Sequence, residues 1–272
     1  MNSMVKQLLV GEFSWRRVRN SLVLIPVSVF LGLVMIGAFF ADKAIFRPQY
    51  PSYTDDLGVL KLSTPSGETI AAKYYPARDA KYTILFSHGN GEDLGHIDPF
   101  IRSLNETGFS VMTYDYRGYG LSEGTPAERN AYEDIDTAYR YLTQELGVPS
   151  NRIIVHGRSL GGAIAVDLAS REGVAGLIME STFTSAFRVV TTWPVPFDRF
   201  LSIDKIRQVT CPVLVIHGKL DRTIGFHHGE ELFAEAPGVK YSLWIENAGH
   251  NDVFHAIPVT YLRRIKEFSE SL

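Results

Sequence analysis

The chain of 272 residues contains one cysteine, Cys211, so no intrachain disulfide is available and stability has to come from a core. Cys211 precedes Pro212 at the head of an apolar run, the setting of a buried small hydrophobe and not of a nucleophile. No cysteine–histidine cluster has zinc-site spacing. Charge of one sign is scarce as well. With 27 basic and 30 acidic residues the net charge is −3, so nucleic acid is not an expected partner. Internal repeats and low-complexity tracts are missing, which argues against a repeat architecture or a long disordered tail.

What the chain has in excess is one charge-free apolar run, from Ser21 to Phe40. At about 1.5 Å per residue it spans roughly 30 Å of hydrocarbon as a helix. Arg16, Arg17 and Arg19 precede it, and Asp42 and Lys43 follow. The basic excess places the N-terminal side in the cytoplasm. The expected organisation is therefore a cytoplasmic N-terminus over 1–20, a transmembrane anchor over 21–40, a linker over 41–54 and one catalytic domain over 55–272. That domain would lie outside the cytoplasm, in the periplasm of a bacterial envelope. The competing reading is a cleaved signal peptide. Against it, the run is longer than the usual apolar core of a signal, and Ala38-Phe39-Phe40-Ala41 offers no A-x-A site. Pro26 is tolerated in a membrane span.

Beyond the linker, hydrophobic residues at 45% and charged residues at 21% describe a globular domain with a sizeable core. Gly58 to Leu62 and Thr69 to Tyr75 flank the turn Pro65-Ser66-Gly67 and read as an antiparallel hairpin. From there strands alternate with helices. The strands are expected over Tyr82–Ser87, Phe109–Tyr114, Ile153–Val155, Val174–Met179, Val213–His217 and Tyr241–Ile245. Helices are expected near Phe100–Glu106, after Thr125-Pro126-Ala127-Glu128, after Gly161, and from about Val253 to Ser269. Thr125 to Glu128 reads as N-cap, N1 proline and capping glutamate, with Ala131, Ile135, Ala138, Leu142 and Leu146 on the buried face. The alternation implies a mainly parallel sheet covered on both faces by helices. Only a small cap fits between Ser181 and Thr210.

Gly157-Arg158-Ser159-Leu160-Gly161 sits between the Ile153–Val155 strand and the alanine-rich Ala163–Ala169 segment. Strand, G-x-S-x-G, helix is the context of a nucleophile elbow, whose tight turn lifts the serine hydroxyl clear of the sheet. In a parallel sheet, functional loops gather beyond the carboxyl ends of the strands. Asp221 follows one strand in His-Gly-Lys-Leu-Asp, and His250 follows the last in Asn-Ala-Gly-His. The order Ser159, Asp221, His250 suits a nucleophile, an orienting acid and a general base. An oxyanion hole needs two converging backbone N–H groups. Leu160 supplies one candidate, and Ser87-His88-Gly89-Asn90-Gly91 supplies Asn90, with Gly91 as the next choice.

These motifs, with Tyr114-Asp115-Tyr116-Arg117-Gly118-Tyr119-Gly120 and Gly249-His250-Asn251-Asp252, resemble those of the α/β-hydrolase superfamily. More narrowly the chain resembles the Bem46-like serine hydrolases, related to the mammalian ABHD13-like and ABHD17-like groups, over residues 46 to 272. The resemblance implies an α/β-hydrolase fold and a serine-dependent ester, thioester or amide hydrolase that needs no metal or cofactor. The ABHD17-like members remove acyl groups from cysteine and carry a cysteine-rich N-terminal region, which this chain lacks.

Several residues have plainer readings. Glu180, after another strand, and Asp115 are rivals to Asp221 as the acid. Asp115 and Arg117 are expected to form a bracing ion pair or turn. His88 is expected to bond loop backbone, and His227 and His228 to sit on the surface, since adjacent helical residues point apart. His96, His156, His217 and His255 have no partner that the sequence names. Trp193 to Phe197 is either an apolar lip for an acyl chain or a packed connection. The expected function is hydrolysis of a carboxylic ester on a small-molecule or lipid-like acyl substrate, with thioester or amide cleavage as the alternative. A membrane-tethered scaffold without activity is the reading from a different class.

Overall fold

Apolar and β-branched residues predominate in the segments Thr83–Ser87, Ser110–Tyr114, Ile153–Arg158, Gly176–Glu180 and Val213–Gly218, and nearly every position in them is buried. Runs apolar on both faces belong in the interior of a parallel sheet, and that is where they lie. The computed structural model describes residues 14–55, 58–193 and 195–272, without the side chains of Arg17, Leu33 and 36–40. Among these residues, eight strands form one sheet: β1 (Leu60–Ser63), β2 (Thr69–Tyr75), β3 (Thr83–Ser87), β4 (Ser110–Tyr114), β5 (Ile153–Arg158), β6 (Gly176–Glu180), β7 (Val213–Gly218) and β8 (Lys240–Ile245). Their order is β1-β2-β4-β3-β5-β6-β7-β8. The first two strands form the expected antiparallel hairpin, β2 joins β4 antiparallel, and every other pairing is parallel.

The helices are α1 (Trp15–Ile45), α2 (Leu94–Glu106), α3 (Glu128–Arg140), α4 (Leu160–Arg171), α5 (Ser202–Lys205), α6 (His227–Glu235), α7 (Val253–Ala256) and α8 (Pro258–Glu270). The helices α2 to α8 and the sheet enclose two apolar clusters, one on each face of the sheet. One contains Leu85, Met112, Val155 and Ile164, and the other Ile84, Phe86, Ile154 and Ile265. Strand neighbours 84 and 85, or 154 and 155, fall in opposite clusters because side chains alternate across a strand.

The chain divides into two units. One comprises α1 as far as Ala41 together with Val195–Phe197; the other comprises Asp42–Pro194 and Asp198–Leu272 and holds the sheet. The helix α1 continues past the expected anchor at 21–40 in both directions, from Trp15 to Ile45. The first part of the expected cytoplasmic segment, residues 1–13, lies outside the described residues. So do the side chains of Arg17, Leu33 and 36–40. Among the described residues, no helix is long and apolar enough to cross a membrane.

Four local expectations are corrected. α2 begins at Leu94, six residues before Phe100, because Asp93 caps it, accepting from the Gly95 and His96 N–H groups. α3 begins at Glu128 with Ala127 as its unbonded cap, so the expected capping box does not form. The Glu128 carboxylate instead accepts from the Phe200 N–H at 2.6 Å and the Tyr132 hydroxyl at 2.8 Å. A π turn at Tyr141–Glu145 follows α3 and shifts its phase, leaving Leu146 exposed while Ala131, Ile135, Ala138 and Leu142 are buried. The last expected helix is broken at Ile257, where Pro258 opens α8, since proline fits the first turn of a helix and not its middle.

Candidate active site

A strained turn joins β5 to α4. Ser159 takes φ 55° and ψ −118° there, a region that costs a non-glycine residue of order 1–3 kcal/mol. The backbone on either side is too close for side chains. A Cβ on Gly157 would lie 2.1 Å from the Gly161 carbonyl oxygen, and one on Gly161 would lie 2.1 Å from the Ser87 carbonyl oxygen. The turn is braced from β6: the Ser159 N–H donates to the Glu180 carbonyl at 2.8 Å, and the Thr182 hydroxyl donates to the Ser159 carbonyl at 2.7 Å. Its result is a hydroxyl standing at the carboxyl edge of the sheet, over the first turn of α4. Leu160 is the first residue of that helix, so its N–H has no acceptor within the helix.

Two other loops reach the hydroxyl. His250 follows β8 and Asp221 follows β7. The Asp221 Oδ1 accepts from the N–H groups of Thr223, at 2.9 Å, and Ile224, at 2.8 Å. That closes the loop on itself and turns Oδ2 toward His250. His250 Nδ1 lies 2.7 Å from Asp221 Oδ2, and His250 Nε2 lies 3.0 Å from Ser159 Oγ. Burial raises the cost of a charge on Asp221, but hydrogen bonds from His217, His250 and the Ile224 N–H outweigh it. The carboxyl is held below the usual carboxylate range. An ionised carboxylate only accepts, so His250 Nδ1 carries the proton and Nε2 is left to accept from the serine.

The rival carboxylates are occupied elsewhere. Glu180 is buried at the end of β6, where its Oε2 meets the Tyr261 hydroxyl and lies 3.5 Å from His156 Nε2. Burial opposes its ionisation, yet His156, Arg158 and Tyr261 bring its pKa down to about 2. Asp115 lies 3.3 Å from His88 Nε2 and accepts the Leu94 N–H at 2.9 Å. It is not paired with Arg117, so of the expected ion pair or turn the ion pair does not form. The Arg117 guanidinium instead joins Asp134 at 2.7 Å, Glu133 at 3.0 Å and Glu68 at 3.2 Å.

The histidines sort equally well. His88 Nδ1 lies 2.9 Å from the neighbouring Gly89 carbonyl, as expected of a loop residue. His228 is buried, contrary to expectation. Its ring lies 4.2 Å from that of His227, and its Nδ1 sits 2.9 Å from the Thr184 hydroxyl. Burial, with His227 and His217 nearby, lowers its pKa to about 4. Among the described residues no histidine, cysteine and carboxylate group has the arrangement of a metal site. Cys211 is buried, and its thiol is pushed up to about 11 by that burial.

Residues without a role in the sequence reading complete the site. Arg158 stacks on Phe86 and Phe100, 5.6 and 5.1 Å from the ring centres, and faces Glu92 at 3.4 Å. The other Glu92 oxygen accepts the Gly89 N–H at 2.7 Å. His217 Nε2 donates to the Ile224 carbonyl at 3.0 Å and lies 3.3 Å from Asp221 Oδ2. The Arg158 contacts join segments far apart in sequence, whereas those of Glu92 with Gly89 and of His217 with Asp221 and Ile224 are local; of all of them only the i,i+4 spacing of His217 and Asp221 was visible beforehand. Around Ser159 opens a cavity of about 640 Å³, with Phe183, Phe187, Val189 and Val190 on its wall together with Ala44 and Ile45. Val190 is 82% and Trp193 79% exposed, so Trp193 is not part of a packed connection.

A doubly covered, mainly parallel sheet with a strained serine at the head of a helix defines an α/β hydrolase. A family model for serine aminopeptidases (S33) matches residues 78–203. The α/β-hydrolase domain-containing protein 17B of Xenopus tropicalis is 41% identical over 226 residues, which cover 81% of this chain and 78% of that protein. The chain belongs to the α/β-hydrolase domain-containing protein 17 family. The related protein aho-3 of Caenorhabditis elegans is 44% identical over 200 residues, 71% of this chain and 59% of its own length. Protein 17C of Mus musculus is 44% identical over 196 residues, 71% of this chain and 61% of its own. The chain thus spans less than two thirds of those two relatives. Among solved structures, an esterase from Pyrococcus furiosus superposes with a TM-score of 0.70 at 18% identity, covering 83% of this chain and 98% of the esterase. An α/β hydrolase from Vibrio vulnificus gives 0.66 at 23% identity, covering 77% and 80%. These two likenesses speak to the fold.

Proposed function

We propose that the chain is a serine hydrolase that cleaves a carboxylic ester through an acyl-Ser159 intermediate. The line from Ser159 Oγ through His250 to Asp221, with separations of 3.0 and 2.7 Å, carries this reading. His250 Nε2 takes the hydroxyl proton as Oγ adds to the ester carbonyl, and Asp221 stabilises the resulting imidazolium. The Leu160 N–H and a second N–H from the loop after β3 receive the oxyanion. The Gly89 N–H is engaged by Glu92, which leaves Asn90, and after it Gly91, to supply that second donor. Collapse of the adduct breaks the carbon–oxygen bond, and His250 returns the proton to the departing alkoxide. Water then attacks the acyl-enzyme with His250 again as base, releasing the acid and restoring Ser159. No cofactor or metal enters these steps.

The cavity wall of phenylalanine and valine suits the acyl portion of a small-molecule or lipid-like substrate. The exposed apolar side chains of α1, from Leu22 to Leu31, support residues 21–40 as a bilayer anchor. The basic residues before them support an N-terminus in the cytoplasm and a catalytic unit on the other side. Protease added outside sealed cells is then expected to digest the catalytic unit, and protection would reverse the topology.

The family model matched by residues 78–203 is one of serine aminopeptidases, which favours amide cleavage as the second reading. The deciding experiment uses the full chain in detergent with p-nitrophenyl esters of two to sixteen carbons and matched thioesters and amides. Ester turnover that disappears in S159A, with loss of fluorophosphonate labelling, is expected. A preference for amides or thioesters replaces the ester reading. Turnover on none of them, with no labelling of the wild type, leaves the scaffold reading.

A further inference from the structure

We infer that the segment Asp42–Arg47 is a working part of the active site, and that Asn90 is the positioning residue through which it holds the oxyanion loop. The inference rests on the assignment of that loop made above. Asn90 is exposed, so burial does not hold its side chain; hydrogen bonds do. Its Oδ1 accepts the Arg47 N–H at 2.8 Å and the Tyr119 hydroxyl at 2.6 Å. Its Nδ2 donates to the Ile45 carbonyl at 2.6 Å. The Arg47 N–H also reaches the Tyr119 hydroxyl, at 2.9 Å. One amide side chain therefore ties the loop after β3 to backbone more than forty residues earlier, where α1 ends.

The segment it grips is itself fixed. Asp42 faces Arg199 at 3.5 Å and accepts the Glu128 N–H at 3.4 Å. Phe46 is buried edge-on to Tyr119 and Phe200, with ring centres 6.3 and 5.9 Å away. The loop's other flank is held from the nucleophile side, through the Gly89 N–H, Glu92 and Arg158. The two grips fall on either side of the N–H groups of Asn90 and Gly91. Oxyanion donors act only within about 2.7–3.1 Å of the developing charge. A loop held from one flank alone would leave that distance free to vary. Ala44 and Ile45 also line the cavity beside Ser159, so the same six residues position a donor and form the wall that an acyl group meets.

The test is kinetic and uses the full chain. N90A removes all three bonds. Y119F removes one hydroxyl from the grip and leaves the loop's own atoms in place. N90A is expected to lower kcat about 10- to 100-fold with KM within threefold and Tm within a few degrees of wild type. Y119F moves the same way by a smaller factor. Affinity for an alkyl boronic acid, whose tetrahedral adduct carries the oxyanion charge, falls in parallel with kcat/KM. A merely structural role would lower Tm and leave the boronate affinity of the folded fraction unchanged. The inference is overturned if both variants fold and keep kcat and boronate affinity within twofold of wild type. If N90A does not fold, Y119F decides alone. Hydrolysis surviving in S159A would instead refute the serine mechanism.

Discussion

His250 and His217 approach the same oxygen of Asp221, at 2.7 and 3.3 Å. The first imidazole faces the serine, and the second is buried behind the carboxylate with its Nε2–H on the Ile224 carbonyl. With Oδ1 also held by two backbone N–H groups, the carboxylate cannot rotate away from His250.

Asp221→Asn should therefore cost about four orders of magnitude in kcat, because the amide presents an N–H where His250 needs an acceptor and selects the wrong tautomer. Steady-state kinetics on the folded variant measures this. Glu180→Gln separates the two acids: it should leave kcat within a few-fold. If it costs as much as Asp221→Asn, the orienting acid is Glu180.

Glu180→Gln should also change acid stability. The folded pKa of about 2 lies below the ordinary 4.5, so the unfolded chain binds the extra proton between those values. Stability from Glu180 is complete above about pH 4.5 and is lost as the pH falls toward 2. Denaturant midpoints measured across that window should fall less steeply for the variant than for wild type.

His228→Gln tests a second window. Its folded pKa of about 4 lies below the ordinary 6.5. The neutral ring stabilises the fold fully above pH 6.5 and ceases to do so as the pH drops through 4. Tm plotted against pH should flatten over that range in the variant.

Gly161→Ala should destabilise by about 1–3 kcal/mol or more, since its Cβ would press on the Ser87 carbonyl at 2.1 Å. Activity should fall out of proportion to stability, because α4 and the loop after β3 must separate to admit the methyl group. Urea titration and turnover on the same preparation check both parts.

The sheet was legible because buried parallel strands are nearly continuous apolar runs, and each predicted run became a strand with its ends moved by at most three residues. The hairpin was legible from its turn. Helix ends were harder to place. Asp93 is an ordinary N-cap type, and Leu94, Ile97, Phe100, Ile101 and Leu104 follow it at helical spacing, so the start of α2 was present in the sequence and was missed. The glutamate read as a cap at α3 is drawn off to Phe200 and Tyr132. Ser159, Asp221 and His250 stood out because each follows a strand, whereas the partners of Arg117, Asp134 and Glu133, lie 17 and 16 residues away and carry no local signal. His228 was placed on the surface by helical geometry, which says nothing of what packs over it.

By itself the sequence determined the elements, their class and the residue types that end each strand, since these depend on local period, turn chemistry and chain order. Tertiary structure alone decided which groups meet. His250 reaches Ser159 across 91 residues and Asn90 reaches Arg47 across 43. A hydrogen bond of about 3 Å is satisfied only when the sheet order, the strand ends and the loops between them are all in place.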